Sequence, residues 1–290
     1  MGPDTTSTFE EQRGRLWRVA YRMLGSRAEA DDVVQDAYLR WHGTSVAEVR
    51  SPQAWLMTTV TRLALDRLRQ LRTEREHYVG PWLPEPLVAA PAPEQAAELA
   101  SELSMAFLAV LERLAPEERA AFLLHEVFDS GYDDIAKVLG KSEVACRQIV
   151  SRARRRVKAE RPRVRVSADA GARLAERFIQ AIRTQDREAM LKLLAQDVTW
   201  TSDGGGKAKA ALKVLSGAPK VARFATGVYR KLASRVEFRP VMVNGEPGVA
   251  TLFEGTLFSV MALRTDGVRI LDVYAVLNPE KLKGIAVPPR

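Results

Sequence analysis

Apolar residues near the start of the chain recur every three or four positions: Leu16, Val19, Ala20, Met23 and Leu24, then Val33, Val34, Ala37, Tyr38 and Trp41. That spacing lines one face of successive helices. Gly25-Ser26 separates the first pair. Ser51-Pro52 reads as an N-cap followed by proline at the first helical position, opening a long helix towards Arg75. From Gly80 to Pro93, five prolines (Pro81, Pro84, Pro86, Pro91 and Pro93) disfavour helix and predict an extended linker. The same stretch carries Tyr78, Trp82, Leu83 and Leu87, more apolar bulk than a solvated spacer needs. Helical spacing resumes at about 95–160. Leu99, Leu103, Phe107, Val110, Leu111 and Leu114 form one face, and Pro116 opens a helix bearing Phe122, Leu123 and Val127.

The pattern changes from about residue 170. One amphipathic helix (Leu174, Phe178, Ile182) precedes a short one (Met190, Leu191, Leu194). Alternating, β-branched and aromatic runs follow at Val198–Thr201, Val236–Val243, Gly248–Phe253, Thr256–Leu263 and Val268–Leu277. Helices followed by several strands predict an α+β domain with a curved antiparallel sheet.

Composition narrows the class. The 290 residues suffice for two or three small domains, and a net charge of +8 favours a polyanionic partner. No apolar run approaches the length of a membrane span, and the N-terminus lacks the pattern of a signal peptide. A lone Cys146 forms no internal disulfide, and His42, His77 and His125 share no ligand spacing. The expectation is a cytoplasmic protein with no metal, no cofactor and no membrane partner.

Residues 133–157 carry a helix-turn-helix pattern. Ile135, Ala136, Val138 and Leu139 give a short apolar-faced helix, Gly140 the turn, and Ser142 the next cap. In the following helix Cys146, Val150, Ala153 and Val157 face inward, leaving Arg147, Gln148, Ser151, Arg152, Arg154 and Arg155 outside. Arg and Gln can present paired donors to base edges while neighbouring cations meet phosphates. The bland alternative is a solvated basic face. Asp31, Asp32, Gln35 and Asp36 form an acidic cluster that a DNA-binding surface would not carry. Electrostatic support of a helix N-terminus is one explanation, and a basic protein partner is the other.

The run Ala30–Trp41, with Ala54-Trp55-Leu56 and Leu65-Asp66-Arg67-Leu68-Arg69, resembles domain 2 of extracytoplasmic-function (ECF) sigma factors. Leu111–Arg119 and Ser151-Arg152-Ala153-Arg154 resemble their domain 4. The resemblance implies domain 2 at 9–78, a linker at 79–97 and domain 4 at 98–160, acting in transcription initiation and stress response. It implies that Asp31, Asp32, Gln35, Asp36, Leu39 and Trp41 grip the β′ clamp helices of core RNA polymerase, which also offers its β subunit. Residues 42–72 would melt and read the promoter −10 element, with Arg62, Arg67, Arg69 and Arg72 as phosphate contacts. The −35 element would fall to Ser142, Arg147, Gln148, Ser151, Arg152, Arg154 and Arg155. Trp55 and Leu56 read as core.

Residues 170–285 resemble a SnoaL-like cone. Three motifs resemble the sigma subgroup that carries this extension: Tyr78–Pro86 in the linker (with Trp82, Leu83 and Pro84), Asp203-Gly204-Gly205-Gly206-Lys207, and Asn278-Pro279-Glu280-Lys281-Leu282. The fold class expected is therefore two all-α sigma domains, the second with a helix-turn-helix, followed by an α+β cone. The resemblance implies that this domain contacts the linker and modulates activity in cis, with no separate anti-sigma protein required. A Gly hairpin turn is the plain alternative for Asp203–Lys207. The domain has no histidine or cysteine, so an enzyme would have to use Asp197, Asp203, Glu254 or Asp272 with Tyr229 or Tyr274. The expectation is no enzyme, and a cone able to hold a small ligand. Two other readings stay open: a ligand-responsive helix-turn-helix regulator acting without core polymerase, and a DNA-binding module fused to an enzyme.

Overall fold

Gly25 adopts φ +68°, a conformation that L side chains resist, and the first helix stops there. The computed structural model describes residues 5–44, 49–89, 103–160, 166–228 and 235–288. Leu99, Tyr229, Pro91, Pro93 and the basic residues Arg161, Arg163 and Arg165 lie outside the described residues. The chain divides into two compact units: one runs through His77 and resumes from Val110 to the end of the second helical block, and the other holds Tyr78–Ala109 and the C-terminal region.

In the first unit, α1 (Thr5–Leu24), α2 (Arg27–His42) and α3 (Pro52–Arg75) pack together. Ser26 and Ser51 cap α2 and α3, each hydroxyl accepting from the backbone N–H three residues on, and Pro52 opens α3. After α4 (Met105–Leu111) come α5 (Pro116–Glu126), α6 (Tyr132–Leu139) and α7 (Glu143–Glu160). Gly140, at φ +63°, makes the predicted turn between α6 and α7. Cys146, Val150, Ala153 and Val157 are buried as their spacing requires.

A largely buried ionic cluster, with Arg119 at its centre, joins the early helices to this second set within the unit. Glu112 accepts from Arg75 Nη1 at 2.6 Å and from Arg119 Nη1, while Arg119 Nε donates to the carbonyl of Arg22 at 2.9 Å. Arg75 Nη2 reaches the Leu24 carbonyl at 2.9 Å. One carboxylate thus neutralises a buried and a partly buried guanidinium, and each of these donates to a backbone carbonyl at the end of α1.

In the second unit, α8 (Ala168–Arg183) and α9 (Arg187–Leu193) lead into a seven-stranded sheet. Its strands are β1 (Val88–Ala89), β2 (Leu194–Asp203), β3 (Leu215–Ser216), β4 (Val236–Val243), β5 (Glu246–Phe253), β6 (Thr256–Thr265) and β7 (Ile270–Val276), in the order β1-β4-β5-β6-β7-β2-β3. Helix α10 (Ala218–Val228), which the periodicity reading did not anticipate, precedes β4, and α11 (Pro279–Leu282) follows β7. The sheet is not wholly antiparallel, because β2 runs parallel to β7.

Alternation along the strands explains the packing. Val249, Met261, Leu263, Val273 and Ala275 point to the face covered by α8–α10. Their neighbours Ala250, Val260, Ala262 and Val276 point to the other face, where Leu83, Met105 and Leu282 cover them. Both faces of the sheet are apolar, so both need a lid. Leu83 and Val88 of the proline-rich stretch, with Met105 and Leu282, form the second lid, which accounts for apolar bulk in that stretch.

Candidate functional site

The carboxylate of Asp203, fully buried at the end of β2, is the centre of a clasp. Its Oδ1 accepts from the Tyr78 hydroxyl at 2.6 Å, and its Oδ2 accepts from the Leu83 backbone N–H at 2.8 Å and from Lys281 Nζ at 2.7 Å. Lys281 also donates to the Leu83 carbonyl. Its ammonium lies 3.9 Å from the Trp82 ring centroid and 5.0 Å from that of Tyr78. A buried cation thus meets an anion, a carbonyl and two aromatic faces, which together replace the water it has lost. Burial, and then the hydrogen bond to Asp203, push the Tyr78 phenol well above the usual tyrosine range. It therefore remains a donor at any physiological pH.

The three motifs singled out in the sequence meet here. Asn278 donates to the Tyr78 oxygen at 2.9 Å and accepts from Glu280 N–H, capping α11, whose first residue is Pro279. The backbone carbonyl of Asp203 accepts from the N–H groups of Leu277 and Asn278. Gly205, at φ +58°, has no room for a side chain: a Cβ would lie 2.4 Å from Asn278 Nδ2 and 2.7 Å from the Tyr78 oxygen. The tight turn of the bland reading is real, since Lys207 N–H and Ala208 N–H both return to the Gly204 carbonyl. The turn also presses against the linker. Lys207 forms an exposed ion pair with Glu280, and Pro84 is buried beside Leu83.

A second clamp escaped the sequence reading. Asn244, buried and at φ +51°, accepts from Leu87 N–H through Oδ1 at 2.9 Å and donates through Nδ2 to the Leu103 carbonyl at 2.8 Å. Glu246 accepts from Met105 N–H at 2.9 Å. Asn244-Gly245 is a recognisable hairpin signal. Its side-chain hydrogen bonds reach residues more than 140 positions away, and no local pattern announces them.

On α7, Ser142 caps the helix as expected, accepting from Ala145 N–H. Gln148, Ser151, Arg152 and Arg155 are exposed. Arg147 contacts Glu143 and stacks over Tyr132, and Arg154 pairs with Glu126. On α2, Asp31, Asp32, Gln35, Asp36 and Leu39 form an exposed row, with Leu39 60% accessible. Asp31 accepts from Trp17 Nε1 at 2.7 Å. Trp41 does not belong to that row. It is fully buried against Trp55, with ring centroids 5.4 Å apart, because it continues the Val33–Ala37 core stripe by one further turn. Its burial agrees with its place on that apolar stripe and departs from the polymerase grip that the family resemblance implied for it.

Comparison with known proteins gives two matching family models, Sigma-70 region 2 over residues 8–74 and Sigma-70, region 4 over residues 104–157. The ECF RNA polymerase sigma factor SigJ of Mycobacterium tuberculosis is 37% identical, with 98% of this chain and 95% of SigJ aligned. The chain belongs to the ECF sigma factors. A probable ECF sigma factor of the same species, SigI, is 29% identical over 96% of this chain and 94% of its own. The crystal structure of M. tuberculosis SigJ superposes with a TM-score of 0.77 at 35% identity, covering 98% of this chain and all of that one.

Of the four arginines of this sigma factor expected to meet phosphates, three are engaged. Arg67 grips Glu29 through two nitrogens, Arg69 binds Asp66 and Glu117, and Arg62 donates to the Lys137 carbonyl. Arg72 is exposed. The carboxylates considered for catalysis are likewise occupied or remote. Asp203 is in the clasp, Asp272 pairs with Arg264 and Glu254 with Arg235, and Asp197 is exposed. Tyr274 packs on the sheet face opposite α8–α10. Among the described residues no group of three or more His, Cys, Asp or Glu could hold a metal ion, and no helix is long and apolar enough to cross a membrane.

Proposed function

We propose that this sigma factor docks on core RNA polymerase through the exposed acidic row of α2 and reads the −35 element through Gln148, Arg152 and Arg155 of α7. The C-terminal, SnoaL-like domain modulates that activity in cis by seizing the linker between the two promoter-reading domains. The observation that carries the regulatory part is the buried Asp203 carboxylate, which holds Tyr78, the Leu83 backbone and Lys281 at once. An extended linker held at both its side chains and its backbone cannot adopt a new path without breaking those bonds. No separate anti-sigma protein is needed for such a restraint, and Asp203, Glu254 and Asp272 are each committed to a hydrogen bond or ion pair.

The test is promoter-specific abortive transcription with purified core polymerase, comparing the native chain with Trp82→Ala and Asp203→Asn. Changed initiation, with folded sigma domains and an increased solution radius, is the expected result. Unchanged transcription and radius in both variants would discard the restraint. Initiation that does not depend on the protein at all would discard the promoter-directed role.

A further inference from the structure

Between the inner face of the sheet and α10 lies a cavity of about 290 Å³, with Trp200, Phe224, Val228 and Leu277 in its walls. Trp200 and Phe224 meet edge to face at 5.4 Å, offering two aromatic surfaces. Two hydroxyls line the same space. Ser202 already accepts from Trp200 Nε1 at 2.8 Å. Ser259, 1% exposed, finds no hydrogen-bond partner among the described residues, and the same holds for Thr251, its buried neighbour in the register of β5 and β6. A buried orphan hydroxyl is costly unless something in the cavity bonds to it. At the rim, Lys209 contributes an exposed ammonium, and Lys207 and Lys213 lie on the same segment.

We infer that this cavity is a binding site for a small aromatic acid. Its ring would pack beside the Trp200–Phe224 pair, with a polar atom at Ser259 and the acidic group at Lys209. An apolar cavity of roughly 150 Å³ accommodates benzene, so this one holds a body of about two fused rings.

The wall that would feel the ligand is also the clasp. Lys209, Ala210 and Ala211 line the cavity, Ala210 lies against Gly204, and Leu212 lies against Gly80 of the linker. Ser202 immediately precedes Asp203. Occupancy is therefore transmitted to residues 78–83. This second part rests on the restraint proposed above; the binding site itself does not.

The probe is 2-naphthoate, titrated by calorimetry into the full chain, with 2-methylnaphthalene as the uncharged comparison. One site with Kd on the order of 100 µM is expected. Lys209→Glu, a rim substitution that disturbs no core, should weaken naphthoate roughly fivefold and leave methylnaphthalene unchanged. Ser259→Leu, which fills the cavity, should weaken both by about tenfold or more. No binding at millimolar naphthoate, or binding indifferent to both variants, overturns the site. Hydrogen exchange of residues 78–87 with and without naphthoate reads the coupling. Altered protection supports it, and saturation without change overturns it while leaving the Trp82→Ala transcription test to judge the restraint independently.

Discussion

Lys281 and Asp203 are each almost fully buried, and charges so placed are tolerable only together. Lys281→Met would leave the Asp203 carboxylate with neutral donors alone and should cost about 3–5 kcal/mol in the unfolding transition of the C-terminal region. Adding Asp203→Asn should recover part of that loss, a non-additivity readable from denaturant midpoints across the four-variant cycle. Gly205→Ala combines a positive φ with a Cβ 2.4 Å from Asn278. A destabilisation of about 2 kcal/mol is expected, accompanied by faster hydrogen exchange at Tyr78–Leu83. If Gly205→Ala melted like the native chain, the turn would not be packed against the linker as described.

Helix α7 separates its roles by face. Cys146, Val150, Ala153 and Val157 hold it to the unit, and burial pushes the Cys146 thiol up, so that this cysteine behaves as a small core residue. Arg152→Ala should weaken promoter binding and lower the salt-dependence slope by about one, whereas Gln148→Ala should relax sequence preference at one base pair with little change in slope. Binding isotherms at three salt concentrations distinguish the two. Helix α2 divides in the same way, with its buried stripe ending in Trp41 and its acidic row facing out. Charge reversal at Asp32 and Asp36 together should abolish assembly with core polymerase in gel filtration while circular dichroism stays unchanged. Retained assembly would remove the acidic row from the docking surface.

Within the first unit, Glu112 sits between Arg75 and Arg119 and so links the early helices to those that follow residue 110. Glu112→Gln strands two guanidiniums and should lower stability by about 3 kcal/mol. It should also loosen the engagement of Arg62 and Arg69, raising nonspecific DNA affinity in a filter-binding assay. In the second unit the segment from Tyr78 to Ala109 is part of the C-terminal fold. Truncation near residue 165 would therefore expose Leu83 and Met105, and such a fragment should bind a hydrophobic dye and aggregate. A soluble fragment with no dye binding would contradict the lid that these residues form.

Periodicity, caps and prolines along the chain determined most of the elements by themselves, because helix and strand each impose a spacing on apolar residues that is local. They located the helices other than α10 and the short α11, the Ser51-Pro52 start, the Gly140 turn and all five longer strands, and the motif residues marked Asp203–Lys207, Asn278–Lys281 and Tyr78–Pro86 for attention. Tertiary structure alone decided which partners those motifs meet, that Asn244 holds Leu87 and Leu103 and Glu246 holds Met105, and that β2 runs parallel to β7. Each of these depends on groups distant in sequence being brought within a few ångströms. A buried charge or an unpaired sheet face demands a partner without specifying where in the chain that partner lies.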